Sequence, residues 1–500
     1  QSYFPNNSGV KTTKNSYQAF TNATIHISAE NVINDATLLE KNGIIVSVGK
    51  NILIPENTRV YNKSGKHIYP SFIEVYSEFG IKKAKRSGSP GRSYQFEPSR
   101  EGYYWNDHIL SDYNSIRDYK YDKKSASKIR KMGFGVVNTH RANGIHRGTG
   151  ILLNLNDHEN DSKRILSKKS TEHYSFKKSV TSNQNYPGSI MGSIALIRQL
   201  YHDANWYELG NSLTNDLSIE ALIENKSLPK IFDAGGDKLN TIRAIKLGKE
   251  IGENFAVLGS GKEYENLREL KQQGVTLILP LNFPKATNVS DPLLTKQIPL
   301  SSMRYWSQAP SNPNKVAKYN IPFVFTGFNL KSSEEFFSNI KKAINYGLDP
   351  IIALKALTTY PAKILGMEDK IGVLKTNSLA NFIITSDELF KDKTIITENW
   401  IQGKPHILVN DNIINVDGDY DFLINNELFK LNLKGSDKKL IAKVTKDSTT
   451  FSTKSKYSNG WLDITIIDKN KNTFAQFNSK INDKSTLNGN GIDFQGDSFV

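Results

Sequence analysis

Short segments of alternating apolar and polar residues run through positions 17–69, a pattern typical of β-strands. The Asn42–Gly43 dipeptide predicts a tight hairpin turn between two of these segments. From 70 to 365, strand-like apolar segments alternate with segments whose apolar residues recur at helical spacing. In the last of these helices, Asp349 predicts the N-cap and Pro350 the first helical position. This alternation predicts an α/β fold, either a parallel barrel or an open sheet.

The strand rhythm returns over 366–412, and 413–500 is almost wholly β-like. We predict that 70–365 form the barrel and that 17–69 pack with 366–412 as one β-domain. Each flank alone supplies too few strands to bury both faces of a sheet. We predict that 413–500 form a separate antiparallel β unit and that 1–16, which are polar and unpatterned, form a tail.

The composition argues against a membrane-spanning protein, against cysteine chemistry and against a nucleic-acid-binding protein. The longest apolar runs fall well short of the roughly 20 residues that a membrane-spanning helix needs. There is no cysteine, which excludes disulfides, thiolate metal ligands and cysteine nucleophiles. The net charge of +15 is spread through loops and helix surfaces, including the loop 80–92, and does not indicate a nucleic-acid partner. The first residue, Gln1, suggests a chain exported after removal of a signal peptide.

Two separated stretches resemble the amidohydrolase superfamily. The early one includes "TNATIHIS" and "GKHIYPSFIEVYSEFG", and the late one includes "NYGLDPIIALKALTTYPAKILGMEDK", so the resemblance brackets residues 17–410. It implies a (β/α)8 TIM-like barrel with a composite β-sandwich domain from both flanks. The segments "GVVNTHRANGIHRGTGILLNLND" and "YPGSIMGSIALIRQLYHDANWY" resemble the first module of exported Bacteroidetes-type proteins that carry two amidohydrolase-like modules in tandem.

The resemblance implies zinc or another divalent metal at the C-terminal ends of the barrel strands. The family's His-x-His on the first strand falls on Tyr76 and Glu78. The mid-barrel strand offers Asp233 but no histidine, and Phe328 stands where the family has an aspartate. These four degenerate positions lack the converging imidazole and carboxylate ligands that a catalytic metal needs.

The distribution of histidines leads to the same expectation. No two of the nine histidines are separated by one residue, and none lies between Asp203 and Pro405. We therefore expect no metal, no cofactor and no catalytic residue of the family type. A buried Glu78 would need a cation beside it, and Arg141 or Arg147 is the predicted partner.

A polar cluster near a predicted strand end admits two interpretations. Its members are His140, Arg141, His146 and Arg147, followed by the glycine-containing stretch 148–150. They either bind an anionic ligand, or the arginines pair with carboxylates such as Glu78 and seal the mouth of the barrel.

Three functions therefore compete. The first is a non-catalytic amidohydrolase-like module that scaffolds an active hydrolase module or a cell-envelope complex. The second is an active metal-dependent hydrolase of C–N (amide) bonds with an atypical site. The third is a barrel that binds a ligand at its mouth. For each, the expected location is the periplasm or the cell envelope, with a protein partner or second module, peripheral association at the outer membrane, no transmembrane segment and no nucleic acid.

Overall fold

A computed structural model divides the chain into two compact units, Gln1–Leu408 and Val409–Val500. The predicted tail at 1–16 and the predicted junction between 412 and 413 lie outside the described residues. The structure describes residues 17–86, 96, 98–157, 160–212, 214–290, 295–330, 332–409, 416–424, 427–435, 440–447, 449–458, 461–468, 472–481, 487, 489–493 and 495–499.

A mixed sheet in the first unit combines strands from both flanks of the chain. Its strands are β1 (Tyr17–His26), β2 (Val32–Lys41), β3 (Ile44–Gly49), β4 (Arg59–Asn62), β5 (His67–Pro70), β16 (Phe382–Thr385), β17 (Ile396–Ile401) and β18 (Lys404–Ile407). They follow the order β18-β17-β16-β5-β1-β2-β3, and β4 also pairs with β1. The two flanks meet where Tyr69 of β5 pairs with Ile383 of β16.

Two further sheets lie between these flanks. Their strands are β6 (Phe72–Ser77), β7 (Phe134–Thr139), β8 (His146–Thr149), β9 (Ile151–Asn154), β10 (Ile165–Ser167), β11 (Glu172–Ser175), β12 (Lys230–Asp233), β13 (Phe255–Leu258), β14 (Thr276–Pro280) and β15 (Phe323–Thr326). One sheet has the order β10-β9-β7-β6 and the other β15-β14-β13-β12-β11-β8. The β6–β7 pair and the run from β11 to β15 are parallel, whereas β8, β9 and β10 are antiparallel to their neighbours.

A short piece of backbone joins the outer strands of these two sheets. The amide of Ile73 in β6 donates to the carbonyl of Leu357, and the amide of Phe325 in β15 donates to the carbonyl of Ala356, each at 3.0 Å. Consecutive residues of one loop therefore satisfy polar groups on both edge strands, which would otherwise be left unpaired in the interior.

Helices follow most of the parallel strands, as the alternating pattern predicts. They are α1 (Lys123–Lys131), α2 (Asp161–Arg164), α3 (Ile190–Glu208), α4 (Leu217–Glu224), α5 (Lys238–Glu250), α6 (Leu267–Gln273), α7 (Leu300–Gln308), α8 (Asn312–Lys318), α9 (Ser333–Asn345), α10 (Pro350–Lys355) and α11 (Thr359–Ile364). Within the part of the chain that the structure describes, none of the helices has the length and apolar character needed to cross a membrane.

Two local predictions are confirmed. The Asp349 side chain accepts a hydrogen bond from the amide of Ile351 at 2.7 Å, with Pro350 at the first position of α10. Asn42 and Gly43 connect β2 to β3 with φ values of 56° and 81°. Positive φ at both central residues is what a type I′ hairpin turn requires.

The second unit is one sheet of antiparallel strands in sequential order. They are β19 (Gly418–Ile424), β20 (Glu427–Lys434), β21 (Ile441–Lys446), β22 (Thr449–Ser458), β23 (Trp461–Ile467), β24 (Thr473–Lys480), β25 (Gly489–Asp493) and β26 (Ser498–Phe499). In β20 the buried Phe429, Leu431 and Leu433 alternate with more exposed neighbours. This period of two places one face of the strand in the unit's own hydrophobic core.

Candidate functional site

The candidate site lies at the C-terminal ends of parallel strands from both inner sheets. Tyr76 and Ser77 close β6, His140 follows β7, and Asp233 closes β12. Ser77 pairs with Thr139 across the β6–β7 ladder, which brings these strand ends together. The C-terminal ends of parallel strands share one edge of a sheet, so their side chains can converge there.

Arg147 in β8 lies at the centre of this site. Its Nη2 donates to Oδ2 of Asp233 at 2.9 Å, and its Nη1 donates to the hydroxyl of Tyr76 at 3.1 Å. The Tyr76 hydroxyl in turn donates to the same Asp233 oxygen at 3.1 Å. The side chains of Arg147 and Asp233 are only 2% and 10% exposed. The carboxylate therefore has its charge balanced and its hydrogen bonds supplied from within the fold.

The ionisation of Asp233 follows from these contacts. Burial alone would raise the pKa of its carboxyl, but the Arg147 guanidinium and the amide of Gly235 outweigh burial and hold that pKa below its usual value. Burial raises the pKa of the Tyr76 hydroxyl. The site therefore holds an ionised carboxylate, a guanidinium cation and a protonated phenol.

Two stacked histidines complete the cluster. The rings of His140 and His173 lie parallel with centroids 3.7 Å apart, and the residues are 1% and 0% exposed. Nδ1 of His140 donates to the carbonyl of Ser77 at 3.1 Å, which leaves Nε2 to face Nη1 of Arg147 at 3.4 Å. Nε2 of His173 bonds the hydroxyl of Thr171 at 2.8 Å. Burial, with Arg147 nearby, lowers the pKa of both rings well below the usual value, so both are neutral.

Sequence reasoning missed His173 and Glu74. Glu74 accepts hydrogen bonds from the hydroxyl of Thr326 and the amide of Gly327, each at 2.7 Å, and from the amide of Tyr76 at 3.1 Å. Burial raises its pKa to about 7, although these donors act in the opposite direction. Through its hydrogen bonds with Thr326 and Gly327, the carboxyl of Glu74 joins β6 to the end of β15.

Glu78 does not have the partner that the sequence predicts. Arg147 is bound to Asp233, and the Arg141 guanidinium lies 4.7 Å from the ring centroid of Tyr113, so the predicted pairing was wrong. Among the residues that the structure describes, Glu78 forms no ion pair. The physical reason is burial: Glu78 is half-buried, so solvent can reach its carboxylate, whereas Asp233 is enclosed and depends on a buried cation.

The other predicted residues separate into two places. The Phe328 ring meets the Tyr76 ring edge-on at 4.9 Å and makes that side of the cluster apolar. His146 lies elsewhere, with Nε2 3.6 Å from Oε1 of the fully buried Glu172. Of the four residues proposed to bind a ligand or seal the mouth, only His140 and Arg147 belong to the cluster.

These residues do not fit the divalent metal that the resemblance implies. Within the described ranges, no group of three or more His, Cys, Asp or Glu side chains is placed to hold a metal ion. The oxygen of Asp233 that faces the cluster already accepts bonds from Arg147 and Tyr76. A divalent ion needs several fixed lone pairs, and a neighbouring guanidinium would oppose its charge.

A cavity of about 1100 Å³ adjoins the cluster but does not include Arg147 or Asp233. Its walls contain Glu78 and Phe328, together with apolar side chains such as Phe79 and Met132. Lysines also line it, namely Lys82, Lys120, Lys123, Lys128 and Lys131. Carboxylates line it as well, those of Glu78, Asp118, Asp122 and Glu334, so the open space has charges of both signs at its border and is partly apolar within.

Comparison with known proteins supports the resemblance to the amidohydrolase superfamily. A model of the amidohydrolase family matches residues 233–414, less than half of the chain. The crystal structure of an amidohydrolase from Thermotoga maritima is 20% identical, with a TM-score of 0.59, and the match covers 78% of this chain and 99% of that one. At this identity the likeness concerns the fold alone, and it implies a TIM-type barrel with a β-rich domain.

Two further solved structures are more distant. A β-aspartyl dipeptidase from Fervidobacterium islandicum is 14% identical with a TM-score of 0.47, covering 80% of this chain and 99% of that one. A prolidase complexed with N-methylphosphonate-L-proline is 13% identical with a TM-score of 0.46, covering 78% and 100%. No curated protein matches the chain.

Proposed function

We propose that the first unit is an amidohydrolase-like (β/α)8 barrel with a composite β-sandwich, and that it is not itself a metal-dependent hydrolase. The likeness to the Thermotoga maritima fold supports the barrel. The loop that bonds both edge strands, β6 and β15, and the continuous chain from β8 to β9 between the two sheets support its closure.

One observation carries the functional proposal: Arg147 is bound to Asp233 and Tyr76 at the strand ends where the family places its metal. A guanidinium remains charged at any pH that a protein tolerates. It therefore acts as a permanent internal cation at this position and neutralises the carboxylate that would otherwise attract a metal.

A module without a catalytic metal can still act through a partner. We propose that this module scaffolds an active hydrolase module or a complex of the cell envelope, after export to the periplasm. The support for this is the resemblance of two segments to the first module of exported proteins that carry two such modules in tandem.

Metal analysis tests the proposal. The whole chain and its Glu78→Ala and Asp233→Asn variants are dialysed against Zn²⁺ and Mn²⁺ and then against buffer, and bound metal is measured. We expect the same metal content in all three proteins, because neither carboxylate serves as a ligand. Stoichiometric metal that disappears with Glu78→Ala would show an atypical but working metal site and would overturn the proposal.

The cavity beside the cluster favours a second candidate function, a ligand-binding barrel. Its volume of about 1100 Å³ is close to that of small-molecule sites, and its apolar walls suit a ligand with an apolar body. Its five lysines outnumber its four carboxylates by one, which favours a ligand with anionic character. A scaffold needs no ligand here, whereas a binding protein would show saturable binding of an anionic amphiphile.

A further inference from the structure

Two histidines on neighbouring strands of the mixed sheet direct ring nitrogens at each other. His26 ends β1 and His67 begins β5, and these strands run parallel with Thr24 opposite His67. Nε2 of His26 lies 3.2 Å from Nδ1 of His67. This pair belongs to the β-domain, and the barrel cluster does not contribute to it.

The His26 ring is held in place by stacking, and a carboxylate lies near the His67 ring. The His26 ring stacks on the Tyr69 ring with centroids 3.8 Å apart and an interplanar angle of 17°. The Tyr69 hydroxyl accepts a hydrogen bond from the amide of Leu389 at 3.1 Å, which fixes the platform. Nε2 of His67 lies 3.9 Å from a carboxylate oxygen of Asp387. The two nitrogens therefore face each other in a defined geometry.

We propose that His26 and His67 form a two-histidine binding site for a borderline divalent transition-metal ion of the Zn²⁺ class. Imidazole nitrogens bind Zn²⁺ at about 2.0–2.1 Å. Two such nitrogens at a tetrahedral angle are roughly 3.3–3.4 Å apart. The two nitrogens share a hydrogen bond at 3.2 Å, which is close to this spacing. Once the proton of the donor ring moves to that ring's other nitrogen, both lone pairs can reach one ion with little movement of the backbone.

The protonation of the pair suits metal binding. Burial, reinforced by His67, lowers the pKa of His26 to about 4. Burial also lowers the pKa of His67, even though Asp387 acts in the opposite direction. Both rings are therefore neutral near pH 7, the form that binds metals. With Nδ1 of His67 on the metal, its proton lies on Nε2, 3.9 Å from the Asp387 carboxylate. One water molecule can bridge that distance, so Asp387 can act as the outer carboxylate that metal-bound histidines commonly have.

The site is partly open to solvent. The His67 side chain is 22% exposed, so water can complete the coordination shell. No third His, Cys, Asp or Glu of the described residues joins the pair, which predicts a site of modest affinity. The stacked His140 and His173 do not offer a comparable metal site. Both rings are fully buried, and their Nε2 atoms already face Arg147 and the hydroxyl of Thr171.

Zinc titration of the whole chain tests the site. After removal of metal with a chelator, ZnCl₂ is titrated by isothermal calorimetry. We expect one bound ion per chain, lost in His26→Gln and in His67→Gln. Asp387→Asn should weaken binding by about 10-fold, the low end of the usual effect of such orienting groups. The exposed His202 provides the matched control, and His202→Gln should bind as the wild type does.

Melting curves show whether each variant is folded, and added zinc should raise the melting temperature of the wild type but not that of His26→Gln. Zinc binding that survives both histidine variants, or a folded wild type that binds no zinc, would overturn the proposal. Asp387 lies in an exposed loop, so Asp387→Asn remains informative if a histidine variant does not fold; unchanged affinity there would overturn the assigned orientation. Glu78→Ala does not change the His26–His67 pair. Metal that is lost in Glu78→Ala would therefore come from the Tyr76–Asp233 cluster, and metal that is lost in His26→Gln would come from the histidine pair.

Discussion

At the scale of single residues, the stacked His140 and His173 link the stability of the first unit to pH. Burial and Arg147 hold the pKa of both well below the usual value, so both stay neutral in the folded chain. In the unfolded chain they bind protons near pH 6.5, roughly. The unfolded state therefore binds more protons below that pH. The two neutral histidines therefore make their full contribution to the free energy of unfolding above about pH 6.5, and this contribution is lost as the pH falls.

We expect this contribution to the free energy of unfolding to decrease below about pH 6.5, by up to about 1.4 kcal/mol per pH unit for each histidine. Glu74 acts oppositely, because its pKa of about 7 lets the folded state gain a proton as the pH falls. Urea denaturation at a series of pH values gives the free energy of unfolding as a function of pH. Below about pH 6.5, this free energy should fall less steeply with decreasing pH in His140→Gln than in the wild type, whereas the exposed His202→Gln should behave as the wild type does. Equal slopes in wild type and His140→Gln would contradict this account.

The sequence located part of this site but not its bonding. The family resemblance pointed to Tyr76 and Asp233, and Arg147 was among the residues expected near the mouth. Which carboxylate the arginine joins depends on relative burial, and a sequence does not report burial residue by residue. His173 was missed because its strand, with the sequence Glu-His-Tyr-Ser, is fully buried yet mostly polar. Because the strand has no apolar pattern, it can be recognised only from its pairing with the neighbouring strands β8 and β12.

At the scale of elements, the β2–β3 hairpin should depend on Gly43. Its φ is +81°, and a Cβ there would lie 2.8 Å from the carbonyl oxygen of Gln402, in the turn between β17 and β18. Gly65 is the matched control, because its φ is +71° but no atom lies within 4 Å of the added Cβ. Each change to Ala should cost about 1–2 kcal/mol for the left-handed conformation. Gly43→Ala should cost more, since the backbone must also shift.

Urea denaturation of the two variants measures this difference. Equal losses would mean that the approach of the two turns, which come from opposite flanks of the chain, adds nothing to stability. The Asn42–Gly43 turn itself could be predicted because its residues specify the backbone conformation locally. Its contact with Gln402 could not, because it depends on the register between β5 and β16, which are roughly 300 residues apart in sequence.

At the scale of the whole molecule, the two units have hydrophobic cores of their own. Phe325 in β15 and Phe429 in β20 are both 0% exposed and belong to different cores. A buried Phe→Ala change typically costs about 3–5 kcal/mol, through lost transfer energy and the cavity left behind. The same substitution can therefore be made in each unit with the same expected penalty.

We expect Phe429→Ala to destabilise only the second unit and Phe325→Ala only the first, because packing energy is lost within the core that contains the cavity. Hydrogen exchange followed by mass spectrometry assigns the effect, since peptides from each unit report separately. In Phe429→Ala, amides of β19–β25 should exchange faster while those of β11–β15 keep their rates, and Phe325→Ala should give the reverse. If either substitution accelerates exchange equally in both units, the chain folds as one cooperative body, and the division at Leu408 and Val409 has no energetic meaning.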